Sequence, residues 1–364
     1  METIDGLTAA AYQIPTDTPE ADGTMTWTST TMIVVRVQAG GCVGTGWTYG
    51  AAAVRAVAAD KLAPIVIGRD AFDVAGTYAA MSRSTRNIGR LGVAACAISA
   101  VDVALWDLKA RLLDLRLARL LGRVNDTVPI YGSGGFTSYS DDQLASQFNG
   151  WTHEQHIPRV KRKSAESWGA REDRDLARIA QARKIIGPET ELYVDANGGY
   201  TRKQAIRVAH AAAEHDVRWF EEPVSSDDLA GLREVRDQVQ ADVAAGEYGF
   251  DLPYFMRLVP AVDCLQADVS RCGGITEWQR VAAVAAANNL QISGHCAPYL
   301  HLDAAAATPN LRHLEWFHDH VRIETMLFDG TAPPEPGGLL RPDPSRPGHG
   351  LDFRDEAATP YRVA

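Results

Sequence analysis

From Thr127 onward, short apolar runs alternate with longer stretches whose apolar residues recur at helical spacing. The runs that read as strands are Val128–Ser133, Arg159–Lys163, Glu191–Asp195, Arg218–Glu221, Asp242–Glu247, Cys264–Asp268, Gln291–His295 and His313–Phe317. Helical patterns separate several of them, over Arg171–Ile186, Arg202–His215 and Glu277–Asn289. Eight strands alternating with helices predict an α/β chain folded as a (β/α)8 TIM-type barrel, not an open sheet. The front third has a different pattern. Thr31–Val37, Gly40-Gly41 and Cys42–Tyr49 read as a β-hairpin with a glycine turn, and residues 51–122 as helical, closing with a long helix from Leu91 to Leu121. That order makes the first part α+β. Between Ile14 and Trp27 the run Pro15–Thr24 is too rich in Pro, Gly and Asp for regular structure and reads as a mobile flap. The Pro- and Gly-rich tail from Gly330 is expected to cross back to the first part. The expected divisions are 1–122, 123–329 and 330–364.

With 364 residues, the chain has room for a barrel of roughly 200–250 residues and a smaller domain. A net charge of −10 argues against sequence-independent nucleic-acid binding and against an anionic membrane surface as partner. Five cysteines without paired CxxC spacing read as free thiols in a reducing compartment. Met1-Glu-Thr-Ile-Asp lacks the basic start and apolar core of a signal peptide, and no apolar run reaches the ~18–20 residues of a membrane span. The expectation is a cytoplasmic homo-oligomer whose partner is a small molecule.

The chemistry lies in three acidic residues, Asp195, Glu221 and Glu247, separated by 221 − 195 = 26 and 247 − 221 = 26 residues. Each closes a strand-like run, and one strand with its return helix takes about that many residues. Three carboxylates therefore converge at the C-terminal ends of successive strands. Three hard oxygen ligands with open positions suit Mg2+. Lys161 and Lys163, two apart on the preceding strand, share a face directed into the barrel mouth, while Arg162 faces the outer helices. On the other flank, Asp268 and His295 end two later strands, and together would make a carboxylate–histidine dyad. An anionic substrate would find its positive charge in the lysines and the metal, with a base on each side. Gly273-Gly274 reads as a tight loop, with phosphate binding as the alternative. Cys272 and Cys296 read as packing residues. Trp27, Trp47 and Tyr49 could face the flap or the core, and His318 and His320 could reach the mouth or the surface.

With those residues in place the chain resembles the enolase superfamily, in its mandelate racemase subgroup. The resemblance covers nearly the whole chain. It is carried by Ala97-Ile-Ser-Ala-Val-Asp102-Val-Ala-Leu-Trp-Asp107-Leu-Lys109, Lys161-x-Lys163, Asp195-Ala-Asn197, Glu221-Glu222-Pro223, Gly246-Glu247, Asp268-Val-Ser-Arg-Cys-Gly273-Gly274, His295 and Leu314-Glu315. It implies an α+β capping domain, built from the N-terminal region and the C-terminal tail, over the barrel mouth. It also implies Asp195, Glu221 and Glu247 as Mg2+ ligands, Lys163 as general base on one face, and His295, oriented by Asp268, as acid/base on the other. Lys161 and Glu315 are implied to neutralise and hydrogen-bond the substrate carboxylate, and Asn197 to contact substrate.

The step that the resemblance implies is removal of the proton next to a carboxylate, through an enediolate stabilised by metal and lysine. Lys163 must be partly neutral to act, and Lys161 and Mg2+ nearby are expected to lower its pKa. Loss of a β-hydroxyl would give dehydration of an acid sugar to a 2-keto-3-deoxy acid, which is the expected reaction. A 2-hydroxy-acid racemase or epimerase, a sugar-lactone cycloisomerase and a non-catalytic metabolite-binding relative are the alternatives. The segment Pro15–Thr30 has no Lys or Arg, which tilts the expectation toward a mono-acid unless Arg83, Arg86 or Arg90 reaches the mouth.

Overall fold

The computed structural model describes residues 2–364. Strands β1 (Gly6–Ala21), β2 (Thr26–Ala39) and β3 (Cys42–Tyr49) form an antiparallel sheet in that order. The hairpin is as the pattern predicts, but the Pro15–Thr24 stretch is not an irregular flap: β1 continues through it to Ala21. The register against β2 slips between Pro15 and Glu20, and Glu20 then faces Trp27. Such a slip accommodates Pro15 and Pro19, which have no N–H to give to a ladder. Local composition signals the prolines but not the partner strand that absorbs them.

Most of the sheet's inner face rests on the helix Val93–Leu112, which is buried along nearly its whole length. Its small residues allow a close approach that glycine completes on the sheet side. A Cβ on Gly44 would lie 2.2 Å from the Ala104 carbonyl oxygen, and one on Gly46 2.2 Å from that of Ala100. The predicted Leu91–Leu121 helix is in fact two. The first ends at Leu112, Asp114 turns into the left-handed region (φ 50°), and a second runs Leu117–Leu121 to Gly122 (φ 89°).

The barrel strands are β4 (Val128–Gly134), β5 (Arg159–Lys163), β6 (Glu191–Asp195), β7 (Val217–Glu221), β8 (Asp242–Ala245), β9 (Cys264–Ala267), β10 (Gln291–Gly294) and β11 (Leu311–Phe317). All pair in parallel with their sequence neighbours, and β11 closes on β4 with Glu315 beside Tyr131. Tyr131, Tyr193 and Trp219 fill the barrel interior as an aromatic floor, with His313 edge-on against Tyr131 and Trp219.

Cap and barrel meet along a polar seam. Asp102, on the buried cap helix, accepts from the Thr276 backbone N–H (2.9 Å) and hydroxyl (2.6 Å) at the start of the barrel helix Gly274–Ala287. Burial pushes the Asp102 carboxyl up to about 7, against the Thr276 hydrogen bonds. Its carboxylate lies 2.3 Å from where a Gly274 Cβ would be (φ 83°), so Gly273-Gly274 admits a protein acid at the helix start and not a phosphate. In the tail, Leu339–Leu340 pairs with Val128–Pro129 of β4, and the Val363 N–H donates to Ala11 of β1 (2.9 Å). Among the described residues no helix is long and apolar enough to cross a membrane.

Candidate active site

Strand register alone assembles the centre. Lys163 lies beside Asp195 across β5 and β6, and Asp195 beside Glu221 across β6 and β7. Glu247 comes two residues past β8, after Gly246 takes a positive φ of 135° close under the Gln266 carbonyl. Asp195, Glu221 and Glu247 are all buried, and each offers a carboxylate oxygen within 4.8 Å of the other two. Glu247 Oε2 is buried without a hydrogen-bond donor. Converging carboxylates with an oxygen left unpaired form a set that a hard divalent cation satisfies and that solvent does not reach.

Lys161 is fully buried, bonded to Glu221, 2.7 Å from Glu315 and 3.5 Å from Asp195. Burial works against its ammonium, but Glu221, Glu315 and Asp195 outweigh it and hold its pKa well above the ordinary range. Lys163 Nζ donates to Asp195 Oδ2 at 2.6 Å and lies 5.9 Å from the centre of the Phe317 ring. Among the protein's own groups the balance at Lys163 is upward. Burial and Lys161 do press the Lys163 pKa down, yet Asp195 in direct contact, with Glu315 and Glu247 beyond, carries it upward. The sequence reading weighed the neighbouring lysine and Mg2+, and not the carboxylate that register puts in direct contact. Arg162 points outward, as its place between the two inward-facing lysines requires, and bonds the Asp175 carbonyl at 3.3 Å.

On the opposite side His295 Nδ1 donates to Asp268 Oδ2 at 2.8 Å. Nε2 is then turned inward, 3.2 Å from Cys296 Sγ, 3.4 Å from Glu247 Oε2 and 3.9 Å from Glu315 Oε2. Burial lowers the imidazole pKa and Glu247 raises it; with the Asp268 hydrogen bond added, and despite Arg271, the net direction is up. Burial raises the Asp268 carboxyl, but His295 and Arg271 bring it below the ordinary carboxylate range. Lysine and histidine thus lean on the two ends of the carboxylate triad, Lys163 on Asp195 and His295 on Glu247.

Glu315 pairs with Lys161 and accepts from the Ser133 hydroxyl (2.6 Å) and the Cys296 N–H (2.9 Å). Asn197, at φ 45°, donates its backbone N–H to Asp195 Oδ1 (2.9 Å), and its own Oδ1 is buried without a donor. It does not cap the next helix, where Thr201 and Gln204 form the capping box. His318 pairs with Asp17 of β1 at 2.9 Å, and His320 stacks on Tyr49 at 3.5 Å between ring centres. Trp47 and Tyr49 are buried at the seam, where both donate to Glu324. Trp27 stands edge-on to Phe136 at the mouth.

Two neighbours were not singled out from the sequence. Arg271 bridges Glu247 (3.4 Å) and Asp268 (3.5 Å). Glu222, buried at φ 38°, has its pKa raised well above normal by burial and by Glu247, Asp195 and Glu221. Cys296, read from the sequence as a packing residue, packs its Sγ against the His295 imidazole at 3.2 Å. Glu222 and Arg271 stood inside quoted motifs, and their adjacency to site residues was the available signal.

Residues 143–357 match the family described as enolase C-terminal domain-like, and residues 8–122 the mandelate racemase / muconate lactonizing enzyme N-terminal domain. The chain belongs to the mandelate racemase group of the enolase superfamily. Its superfamily relatives include a mandelate racemase/muconate lactonizing enzyme-like protein from Rubrobacter xylanophilus, whose crystal structure matches with a TM-score of 0.96 at 49% identity over 99% of this chain and 100% of that one. The 3,6-anhydro-alpha-L-galactonate cycloisomerase of Streptomyces coelicolor is 31% identical over 96% of this chain and 97% of that protein. The L-talarate/galactarate dehydratase of Salmonella typhimurium is 32% identical over 75% of this chain and 69% of that protein. The mandelate racemase group thus contains relatives of this chain that break bonds in different ways, and the family assigns an enzyme without choosing its reaction.

Proposed function

We propose that the protein is a Mg2+-dependent enzyme that removes the proton next to a carboxylate and completes a dehydration, converting an acid sugar to a 2-keto-3-deoxy acid. The observation that carries this reading is the placement of two different proton carriers at the two ends of one carboxylate triad. Asp195, Glu221 and Glu247 would hold Mg2+, whose charge favours the enediolate over the parent acid. Lys161 adds a fixed positive charge beside Glu221 and Glu315. Lys163, once neutral, takes the α-proton at Nζ; its Asp195 partner is also a metal candidate, so a cation on that carboxylate would weaken the hold that keeps Lys163 protonated. His295, its pKa raised and its Nδ1–H fixed on Asp268, presents Nε2 as the acid that protonates the departing β-hydroxyl. Water leaves, and the enol relaxes to the 2-keto acid. Asn197 Oδ1, buried without a donor, is placed to accept from substrate.

Cycloisomerisation is the second reading, favoured by the near-full-length likeness to the Streptomyces coelicolor enzyme. The test is a panel of acid sugars and sugar lactones with Mg2+, read by a carbonyl trap for 2-keto acids and by NMR in D2O. Keto acid formed with loss of water supports dehydration. Exchange of the α-proton without keto acid would point to a racemase or epimerase, and ring opening of a lactone to the second reading. A panel that gives no reaction and no exchange would defeat the proposal.

A further inference from the structure

Beside the carboxylate triad, the turn that follows β10 gathers donors of another kind. His295 Nε2 lies 3.2 Å from Cys296 Sγ and 3.9 Å from Glu315 Oε2, and the three residues each offer a ligand atom within 4.8 Å of the other two. All three side chains are buried. A nitrogen, a sulfur and an oxygen directed at one point differ from three carboxylate oxygens in the ion they suit. Mg2+ takes hard oxygen ligands in near-ideal octahedral geometry and has little use for sulfur. Zn2+ takes thiolate, imidazole and carboxylate together.

Each of the three atoms has an electron pair to give. The His295 Nδ1–H is fixed on Asp268 Oδ2 at 2.8 Å, so in the neutral ring the lone pair is on Nε2. A carboxylate behind a histidine in this way orients the ring and raises its basicity toward a metal. Glu315 divides its work between its oxygens. Oε1 takes the Ser133 hydroxyl (2.6 Å) and Lys161 (2.7 Å), which leaves Oε2 with the Cys296 N–H (2.9 Å) alone. Among the described residues, Cys296 Sγ has no hydrogen-bond partner other than the imidazole.

The spacing fits as well. With Zn–S at ~2.3 Å and Zn–N at ~2.0 Å, sulfur and nitrogen at two corners of a tetrahedron are about 3.5 Å apart, and nitrogen and oxygen about 3.3 Å. The observed 3.2 and 3.9 Å lie within reach of those edges by side-chain rotation. Glu247 Oε2, buried without a donor, stands 3.4 Å from the same Nε2 and marks the border with the triad.

We propose that His295 Nε2, Cys296 Sγ and Glu315 Oε2 form a second metal site, selective for a thiophilic divalent cation, Zn2+ above all, and that filling it stops turnover. On binding, the Cys296 S–H bond breaks, its proton leaves to solvent, and the sulfur and Nε2 electron pairs pass to the ion. No electron transfer is involved. The fourth position stays open to water. The inhibition rests on the acid role given to His295 above, because an ion on Nε2 occupies the pair that must carry the proton; the site itself does not rest on it.

The test titrates Zn2+, and Co2+ as its coloured stand-in, into the full chain with Mg2+ saturating, read by calorimetry and absorption. One equivalent per chain is expected, with the thiolate-to-cobalt charge-transfer band that an all-oxygen site cannot give. Cys296→Ser should remove the band and weaken Zn2+ by at least ~100-fold, since it exchanges a strong thiolate ligand for a hydroxyl. Asp268→Asn, which moves the ring proton to Nε2, should weaken Zn2+ by ~10- to 100-fold and decides the matter if Cys296→Ser does not fold. Cys272→Ser, with its thiol directed to the Gly274 carbonyl, should leave band and affinity unchanged. Thermal melts report folding of each variant. An absent band, or one that survives in Cys296→Ser, overturns the site. So does Zn2+ binding that Glu221→Gln abolishes and Cys296→Ser does not, which would put the ion in the triad. Turnover on an active acid sugar should fall in step with Zn2+ occupancy and return on chelation; turnover that continues with the site filled overturns the inhibition. A band in a protein that neither turns over nor exchanges any acid sugar upholds the site and defeats the acid-sugar reading, and turnover without a band does the reverse.

Discussion

Asp268→Asn probes the dyad with one atom changed. Wild-type Asp268 uses Oδ2 for His295 and Oδ1 for the Ser270 N–H at 2.6 Å. Asparagine keeps the Oδ1 acceptor, so the turn at Ser270 stays bonded, but it presents an NH2 to Nδ1. The imidazole must then accept at Nδ1 and carry its proton on Nε2 as a neutral ring. The charge-assisted bond is lost in a setting where both side chains are almost completely buried, and a bond of that kind contributes about 1.5–3 kcal/mol. By the conversion of 1.4 kcal/mol to a factor of ten, turnover should fall by roughly 10- to 150-fold. The Lys163 side is anchored to Asp195 and shares no hydrogen bond with Asp268. The assay is therefore double: keto-acid formation, and wash-in of deuterium at the α-carbon in D2O. The expected pattern is a large fall in the first and less than about a threefold change in the second. Turnover within twofold of wild type would refute the acid role given to His295, and parallel loss of both signals would show that the two ends of the site do not act separately.

Other outcomes follow from the same geometry. Glu221→Gln and Glu247→Gln should each remove the Mg2+-induced rise in Tm, which for the wild type at a hundredfold excess over Kd corresponds to about 2.7 kcal/mol; a rise that persists in both variants would displace the metal site. Glu324, pushed up to about 8 by burial against its Trp47, Tyr299 and Tyr49 hydrogen bonds, should make the fold most stable at low pH as far as this group is concerned. Its contribution is complete below the unfolded value near 4.5, and is lost as pH rises toward 8. Glu324→Gln should flatten Tm against pH across that window, and an unchanged slope would refute the assignment. Gly44→Ala drives a methyl into the Ala104 carbonyl, and should cost about 1–3 kcal/mol or more in urea denaturation.

The strands that carry the chemistry were legible because each is a short run with the residue that matters at its end or within two positions beyond it. Arg159–Lys163 and Glu191–Asp195 have the predicted bounds. The even spacing of the carboxylates is the barrel period itself, which is why register brings Asp195 beside Glu221 as expected. What could not be read is set by partners distant in the chain. The slip at Pro15–Glu20 belongs to β2 as much as to β1, so Glu20 looked like one polar residue in a loop. The pKa of Lys163 is set by an interstrand contact with Asp195 as well as by its neighbour two positions away. Cys296, next to His295 in sequence, lies against its imidazole where the chain takes positive φ at Cys296 and Ala297.

The buried seam constrains how a ligand enters. The helix Val93–Leu112 lies under the sheet, with Asp102 inserted into the start of a barrel helix and Trp47 and Tyr49 bonded to Glu324 of another. Swinging the cap away as a rigid body would strand those acids in a dry gap. The far end of the hairpin is held differently, by isolated hydrogen bonds from Thr137, Ser138 and Trp168 and a slipped ladder between Pro15 and Glu20. Parting cap from barrel therefore costs least at that strand tip, where the bonds to be broken are few and the ladder is already interrupted.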